Sequence, residues 1–385
     1  MANNFEKPTI INRTAIGLLL REIVLPGVVW TNGIGDFAGA FNDTINLRIP
    51  ARATARKRAL RGTGSDRNIT LDTLTEQVVA VQLTEDVYSA VPLTDEELTL
   101  DIFDIGDQVL TPQIRAVGEQ LEDDIAAMIQ GAAYQTVVRT GTGDGATWDA
   151  YINARKALNV ANVPMANRIL IGGPGWEAAL LKDPQFARFD HSGDQNNTAL
   201  RDAMIGQIGG TTFVTSNALR EGEAYLAHKS AYVFANRAPN VPQGAAFGNS
   251  QSMQNLAMRW IRDYDPTTLT DRSVINSFAG YQAISDPVDG FVRGVQLLLP
   301  VISIEVLPST AAIVGTATHQ LKAYDSNGFD VTTAATWTSA TTSKATVGAS
   351  TGLVTGVAAG TSVVTATYTP PGGSALTSTC LVTVS

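Results

Sequence analysis

The sequence predicts an α+β body of about 300 residues followed by a small all-β sandwich. Three observations carry that expectation. The chain of 385 residues changes character at Pro300, because beyond it only Glu305, Lys322, Asp325, Asp330 and Lys344 are charged. All but two of its 27 Lys+Arg and all but three of its 36 Asp+Glu therefore precede the seam. Within the body, one long segment repeats apolar residues at helical spacing. Residues 211–300 are strand-rich but lack the regular strand–helix alternation of a parallel α/β enzyme.

Bulk composition excludes several classes. A hydrophobic content of 44% gives ample core for two or three domains and rules out a disordered chain. The formal charge of −9 argues against a surface built to coat nucleic acid throughout. Cys380 is the sole cysteine, so neither an intrachain disulfide nor a cysteine-based zinc site forms, which suits folding in a reducing cytoplasm. Met1-Ala-Asn-Asn-Phe5 lacks the pattern of a secretion signal, and no apolar run approaches the roughly 20 residues that span a bilayer. The expected chain is soluble, with no membrane partner.

The tail, 301–385, reads as short strands at 301–307, 316–324, 331–337, 345–347, 353–357, 362–368 and 381–384. Asp325-Ser-Asn-Gly328, Ser350-Thr-Gly352, Ala359-Gly360 and Pro370-Pro-Gly-Gly373 supply turns. About seven strands in so short a span predict a β-sandwich around one tryptophan. Trp337, Leu321 and Val354 are the expected core. The strings Gln320-Leu-Lys-Ala323, Trp337-Thr-Ser339, Ala345-Thr-Val347 and Gly352-Leu-Val-Thr-Gly-Val-Ala-Ala-Gly-Thr361 resemble the bacterial immunoglobulin-like group 2 domain. The resemblance implies surface display and, in some members, a carbohydrate or host-surface ligand. The bland alternative is an inert, protease-resistant knob.

In the body, residues 1–43 read as an arm whose apolar segment 16–30 is interrupted by Pro26-Gly27. It suits lying on a neighbour better than forming a core. Arg48, Arg52, Arg56, Lys57, Arg58, Arg61 and Arg67 follow, opposed only by Asp66. Strand-like flanks at 44–49 and 69–83 and a Gly62-Thr-Gly64 tip predict a long hairpin, 44–84. Three uses stay open for the basic run: contact with acidic surfaces of identical copies, phosphate binding, or a solvated loop.

Thr94-Asp-Glu-Glu97 is a capping box whose helix is expected to run to Phe103. Thr111-Pro112 places a cap and an N1 proline before an amphipathic helix. Its apolar face is Ile114, Val117, Leu121, Ile125, Met128 and Ile129, with Arg115, Glu119, Glu122 and Asp123 facing elsewhere. A start at Asp104 is the alternative and would leave Pro112 inside the helix. Glu119, Glu122, Asp123 and Asp124 suggest a solvated or intersubunit face rather than a metal site, since no histidine lies near.

Thr147 is expected to cap a helix 148–158, before a buried strand 168–171 and a short helix 176–181. Gly173-Pro-Gly175-Trp-Glu-Ala178 matches the G-x-G-x-x-A dinucleotide fingerprint. Pro184 ends the helix early, however, and Trp176 fills the space a pyrophosphate needs, so the glycines read as a tight turn. His191, His228 and His319 are scattered, and neither a nucleophile elbow nor a Walker sequence is present. No catalytic, cofactor-binding or metal residues are predicted, and no enzymatic activity.

Taken in order, these elements resemble the major capsid protein of tailed phages, with the Hong Kong 97 fold, and in particular the coat proteins of short-tailed phages. The resemblance assigns 1–43 to the N-terminal arm and 44–84 to the extended loop. It places the peripheral domain at 84–190 with spine helix 104–134, and the axial domain at 191–257. Residues 258–300 become closing strands of the peripheral domain. It implies a homo-oligomer of hexamers and pentamers, a virion capsid around packaged double-stranded DNA, and scaffolding and portal proteins as partners. A fused scaffolding region is not expected. Lys57 stands where part of that family forms a covalent crosslink, a bond not predicted here. A surface adhesion or carbohydrate-binding protein is the competing reading.

Overall fold

The computed structural model describes residues 23–31, 44–49, 55–57, 60, 69, 71, 73, 77–98, 105–142, 145–183, 207–243, 247–253, 256–267, 269–286, 290–371 and 373–385. In chain order the body reads α1 (Leu25–Val28), β1 (Thr44–Ile49), β2 (Gln77–Gln82), β3 (Glu85–Thr94), a π-helical turn (Gly106–Leu110) and α2 (Thr111–Gly131). Next come β4 (Val137–Arg139), α3 (Ala146–Val160), β5 (Arg168–Gly172), α4 (Pro174–Lys182), β6 (Gln207–Ile208), β7 (Thr211–Thr215) and β8 (Glu223–His228). It closes with β9 (Tyr232–Arg237), β10 (Phe247–Met253), β11 (Leu256–Asp265), β12 (Thr270–Ala283) and β13 (Gly294–Leu298). Two compact units emerge: Met1–Ala132 with Lys229–Arg293, and Ala133–His228 with Gly294–Ser385.

The first unit is organised by β12. Its leading ten residues pair antiparallel with β3, its last six pair with β9, and β11 runs along its other edge, followed by β10. Helix α2 lies on β12 and β3 and buries Val117, Leu121, Ile125 and Ile129. The predicted apolar face is corrected at two places. Ile114 is 47% exposed, and the buried neighbour is Gln113. Its amide donates to the carbonyls of Ser89 (3.2 Å) and Ser273 (3.0 Å) and accepts from Ser273 Oγ (2.7 Å), so a polar side chain fastens the helix to the sheet. Glu122 is fully buried instead of solvated, because its carboxylate accepts the Val24 N–H (3.3 Å) from the end of the arm.

The helix also begins earlier than Thr111. Leu110 already has helical dihedrals, and Thr111 Oγ1 donates to the Gly106 carbonyl (3.0 Å) without capping anything. Pro112 would clash with the carbonyl four residues back in a regular helix, and the wider π turn before it removes that conflict. The capping box forms as written: Thr94 N–H donates to Glu97 Oε2 (2.9 Å) and Glu97 N–H to Thr94 Oγ1 (3.2 Å). The arm is corrected too. Leu25 and Val29 are fully buried, and Trp30 exchanges backbone hydrogen bonds with Tyr232 and Phe234, so residues 24–30 complete their own core.

In the second unit six strands run in the order β4-β13-β8-β5-β7-β6, with β4–β13 and β5–β7 parallel and the other pairs antiparallel. Every residue of β5 is buried, as its continuous apolar run requires. Residues 135–183 thus group with 207–228 rather than with the spine helix, because β5 is zipped between β7 and β8. Gly145, with φ +80°, takes the cap position expected of Thr147, whose side chain is buried.

The tail forms β14 (Ile304–Leu307), β15 (Thr310–Ile313), β16 (Thr318–Gln320), β17 (Lys322–Asp325), β18 (Thr336–Ser339), β19 (Ala345–Val347), β20 (Leu353–Gly356), β21 (Gly360–Tyr368) and β22 (Leu376–Val384). Sheet β15-β22-β21-β18 faces the smaller sheet β16-β20-β19 and the pair β14-β17, with Trp337, Leu321, Val354, Val364 and Cys380 between them. The sequence reading missed β15 and started the 336–339 strand too early. Residues 332–335 instead turn so that the Thr332 carbonyl can accept Trp337 Nε1–H (2.9 Å). Gly352, with φ +67°, lies so close to Trp337 that a Cβ would stand 3.0 Å from the ring. Burial raises the Cys380 thiol above its ordinary range.

Two predictions follow from this packing. Trp337→Ala removes the largest side chain of the sandwich core and is expected to cost about 3–5 kcal/mol. Hydrogen exchange of the β21–β22 amides checks it: protection should collapse there while that of β12 persists. At the start of β3, burial and the neighbouring Asp124 carboxylate raise Glu85, while Asp124 accepts from Tyr281 Oη (3.2 Å). A carboxyl raised in the fold weakens the fold where it is ionised, above its ordinary value of 4.5. Glu85→Gln is therefore expected to raise Tm at neutral pH and to lose that advantage below pH 4.5.

Candidate functional site

Strands β1 and β2 pair from Thr44↔Gln82 to Ile49↔Gln77 and form the legs of the predicted hairpin. Its root is buried. Val81 packs with Val233, Ala235 and Ile284, flanked by Trp30, Val79 and Leu83. Thr84 N–H donates to the Ala279 carbonyl (3.0 Å). Gly280 admits the Gln82 carbonyl so closely that any Cβ there would fall under 3.0 Å from it, so glycine is required where the hairpin leaves the sheet.

Beyond the root, residues 55–57, 60, 69, 71, 73 and 78 are exposed. Leu60 is 100% exposed, Leu71 89%, Ile69 71% and Val78 54%. Of the seven basic residues singled out in the sequence, Arg56 and Lys57 are exposed, and Arg48 sits in β1 opposite Val78. Arg52, Arg58, Arg61 and Arg67 lie outside the described residues. The excursion therefore joins an anchored base to described residues that expose both apolar and cationic groups. The sequence reading found the cations, assigned Ile69 and Leu71 to a strand, and did not single out Leu60.

In the Gly173–Ala178 segment the space of a would-be pyrophosphate is filled by the chain itself: Trp176 is fully buried, and its Nε1–H donates to the Gly222 carbonyl (3.0 Å). His228 ends β8 and His319 lies in β16, while His191 is outside the described residues. Among the described residues no three His, Cys, Asp or Glu side chains gather as a metal site, and no helix is long and apolar enough to cross a membrane. The acidic residues of α2 are divided by the fold, with Glu122 inside and Asp123 exposed.

Comparison with known proteins gives these surfaces their context. Residues 300–379 match the family described as bacterial Ig-like domain (group 2). No curated protein matches the chain. Among solved structures, a chain from Mycobacterium phage Che8 shares 15% identity at a TM-score of 0.54, covering 77% of this chain and 96% of that one. The capsid structure of the cyanophage P-SCSP1u shares 11% identity at a TM-score of 0.51, covering 78% and 93%. These likenesses establish a common α+β fold of the Hong Kong 97 type. Residues 82–276, more than half of the chain, match the phage capsid protein family, and the chain belongs to that family of structural shell proteins.

Proposed function

We propose that this chain assembles as hexamers and pentamers into an icosahedral shell enclosing packaged phage double-stranded DNA, with the immunoglobulin-like domain displayed outward. The observation that supports it most is the hairpin, buried at its root and exposed at the apolar residues described beyond it. Three apolar side chains there, Leu60, Ile69 and Leu71, are more than two-thirds exposed, and burying each against a neighbouring copy contributes on the order of 1.5–3 kcal/mol. A persistent subunit contact buries on the order of 1,000 Å² or more, and a two-stranded excursion supplies such area without enlarging the core. Arg48, Arg52, Arg56, Lys57, Arg58, Arg61 and Arg67 then meet acidic surfaces of other copies, which a formal charge of −9 makes plentiful. That same charge keeps the inner wall from holding DNA tightly.

In this reading the peripheral body comprises 85–132 with 229–293, so 229–257 leave the expected axial domain, and the axial body comprises 133–228 with 294–298, so 133–190 and 294–298 leave the expected peripheral domain. Scaffolding and portal proteins are the partners an assembling shell requires, and synthesis takes place in the host cytoplasm.

The test is assembly itself. Size-exclusion chromatography and negative-stain microscopy of the expressed chain should show capsomers, shells or tubes, and a strictly monomeric species at high concentration would overturn the proposal. Replacing Arg56, Lys57 and Arg58 with Glu is expected to abolish particles while leaving thermal unfolding of the unassembled chain within a few degrees of the parent. Deleting 301–385 is expected to leave particle formation intact, and loss of particles would place the tail between subunits.

A further inference from the structure

We propose that the immunoglobulin-like domain is clamped to the six-stranded sheet through a three-layer joint, and that the Gly172-Gly-Pro-Gly175 turn forms its base. The domain then holds a fixed direction instead of swinging on a tether. This inference concerns the joint alone and stands whether or not the domain faces outward.

The lowest layer is the turn between β5 and α4. A Cβ on Gly173 would fall under 3.0 Å from the Arg220 carbonyl, and one on Gly175 would stand 2.6 Å from that of Glu221. Neither glycine has a positive φ, so it is the approach of the 220–222 backbone, not turn geometry, that excludes a side chain.

The middle layer is that loop, held rigidly in place. Glu223, fully buried, accepts from Arg220 N–H (3.1 Å) and Tyr225 Oη (2.9 Å) and pairs with the Arg220 guanidinium (3.4 Å). The Gly222 carbonyl accepts both Trp176 Nε1–H (3.0 Å) and Leu299 N–H (2.8 Å).

The upper layer is the tail's Asp325-Ser-Asn-Gly328 turn, whose sequence reads as an ordinary exposed turn. Asn327 is only 2% exposed. Its Nδ2 donates to the Leu299 carbonyl (2.7 Å), and its own carbonyl accepts Gly222 N–H (3.4 Å). A side chain at Gly222 would collide with that of Asn327. The Arg220 guanidinium stacks 4.7 Å from the centre of the Phe329 ring, and Gly328 faces the Arg220 stem. The connecting residues are fastened as well. Ser326 N–H donates to the Ser303 carbonyl (3.0 Å), and Ile302 N–H donates to Ser326 Oγ (3.0 Å). A flexible linker leaves its backbone groups to water, whereas this one has them engaged on both sides of Pro300.

The joint is tested by cleavage of the full chain at 299–303 with a broad-specificity protease, assembled or not. The parent chain should resist, and Asn327→Asp, which keeps the volume but replaces the donor to Leu299, should be cut about tenfold faster or more. Hydrogen exchange of β21 and β22 must stay at the parent level, showing that the domain itself remains folded. Should Asn327→Asp disturb the domain, Gly222→Ala, which alters only the body, carries the same expectation. Rapid cleavage of the parent chain, or a variant cut at the parent rate with its domain intact, overturns the joint. Neither result touches the assembly proposal, which is read from particles.

Discussion

The first unit depends on one strand serving three partners. β12 is 14 residues long, and along that length it pairs with β3, β9 and β11 while carrying α2 on its face. Such a strand cannot shift register without moving every neighbour's side chains to the wrong face. Gln113 adds a polar lock to the apolar packing, because its amide has two carbonyls and one hydroxyl in reach and leaving any of them unpaired in the core is costly. The hairpin inherits its direction from this platform. Its base is trapped between Gly280 and the Val81 cluster, so the excursion departs from a rigid edge.

In the proposed assembly, the contrast between a fixed base and the exposed residues described beyond it supplies the contact between copies. A protein that functions alone gains nothing from holding Leu60, Ile69 and Leu71 in water beside a run of cations. A protein completed by its copies gains the interface area that a closed shell demands, through heterologous contacts repeated around each axis. Glu85 sits next to the same base, where burial and the neighbouring Asp124 carboxylate set its ionised form against the fold.

The second unit uses glycine to bring backbones together. Gly173, Gly175 and Gly222 each mark a place where another segment comes nearer than a side chain would allow. In sequence the first two imitate a nucleotide fingerprint. In space they form the bottom of a stack that continues through the 220–222 loop to Asn327 of the tail.

The sequence by itself determined the seam at Pro300, the tail's sandwich with Trp337 inside, the capping box at Thr94 and the existence of the hairpin and spine helix. Those features rest on local spacing, turn chemistry and composition, which neighbours within a few residues decide. Tertiary structure alone decided that Glu122 and Gln113 point inward, that the π turn carries the helix through Pro112, and that 135–183 joins the 207–228 strands. It also decided that the end of the arm closes its own core. Each of those outcomes depends on a partner far away in the chain, such as Val24 for Glu122, Ser273 for Gln113 and β8 for β5, and no periodicity in a single segment encodes which distant group will arrive.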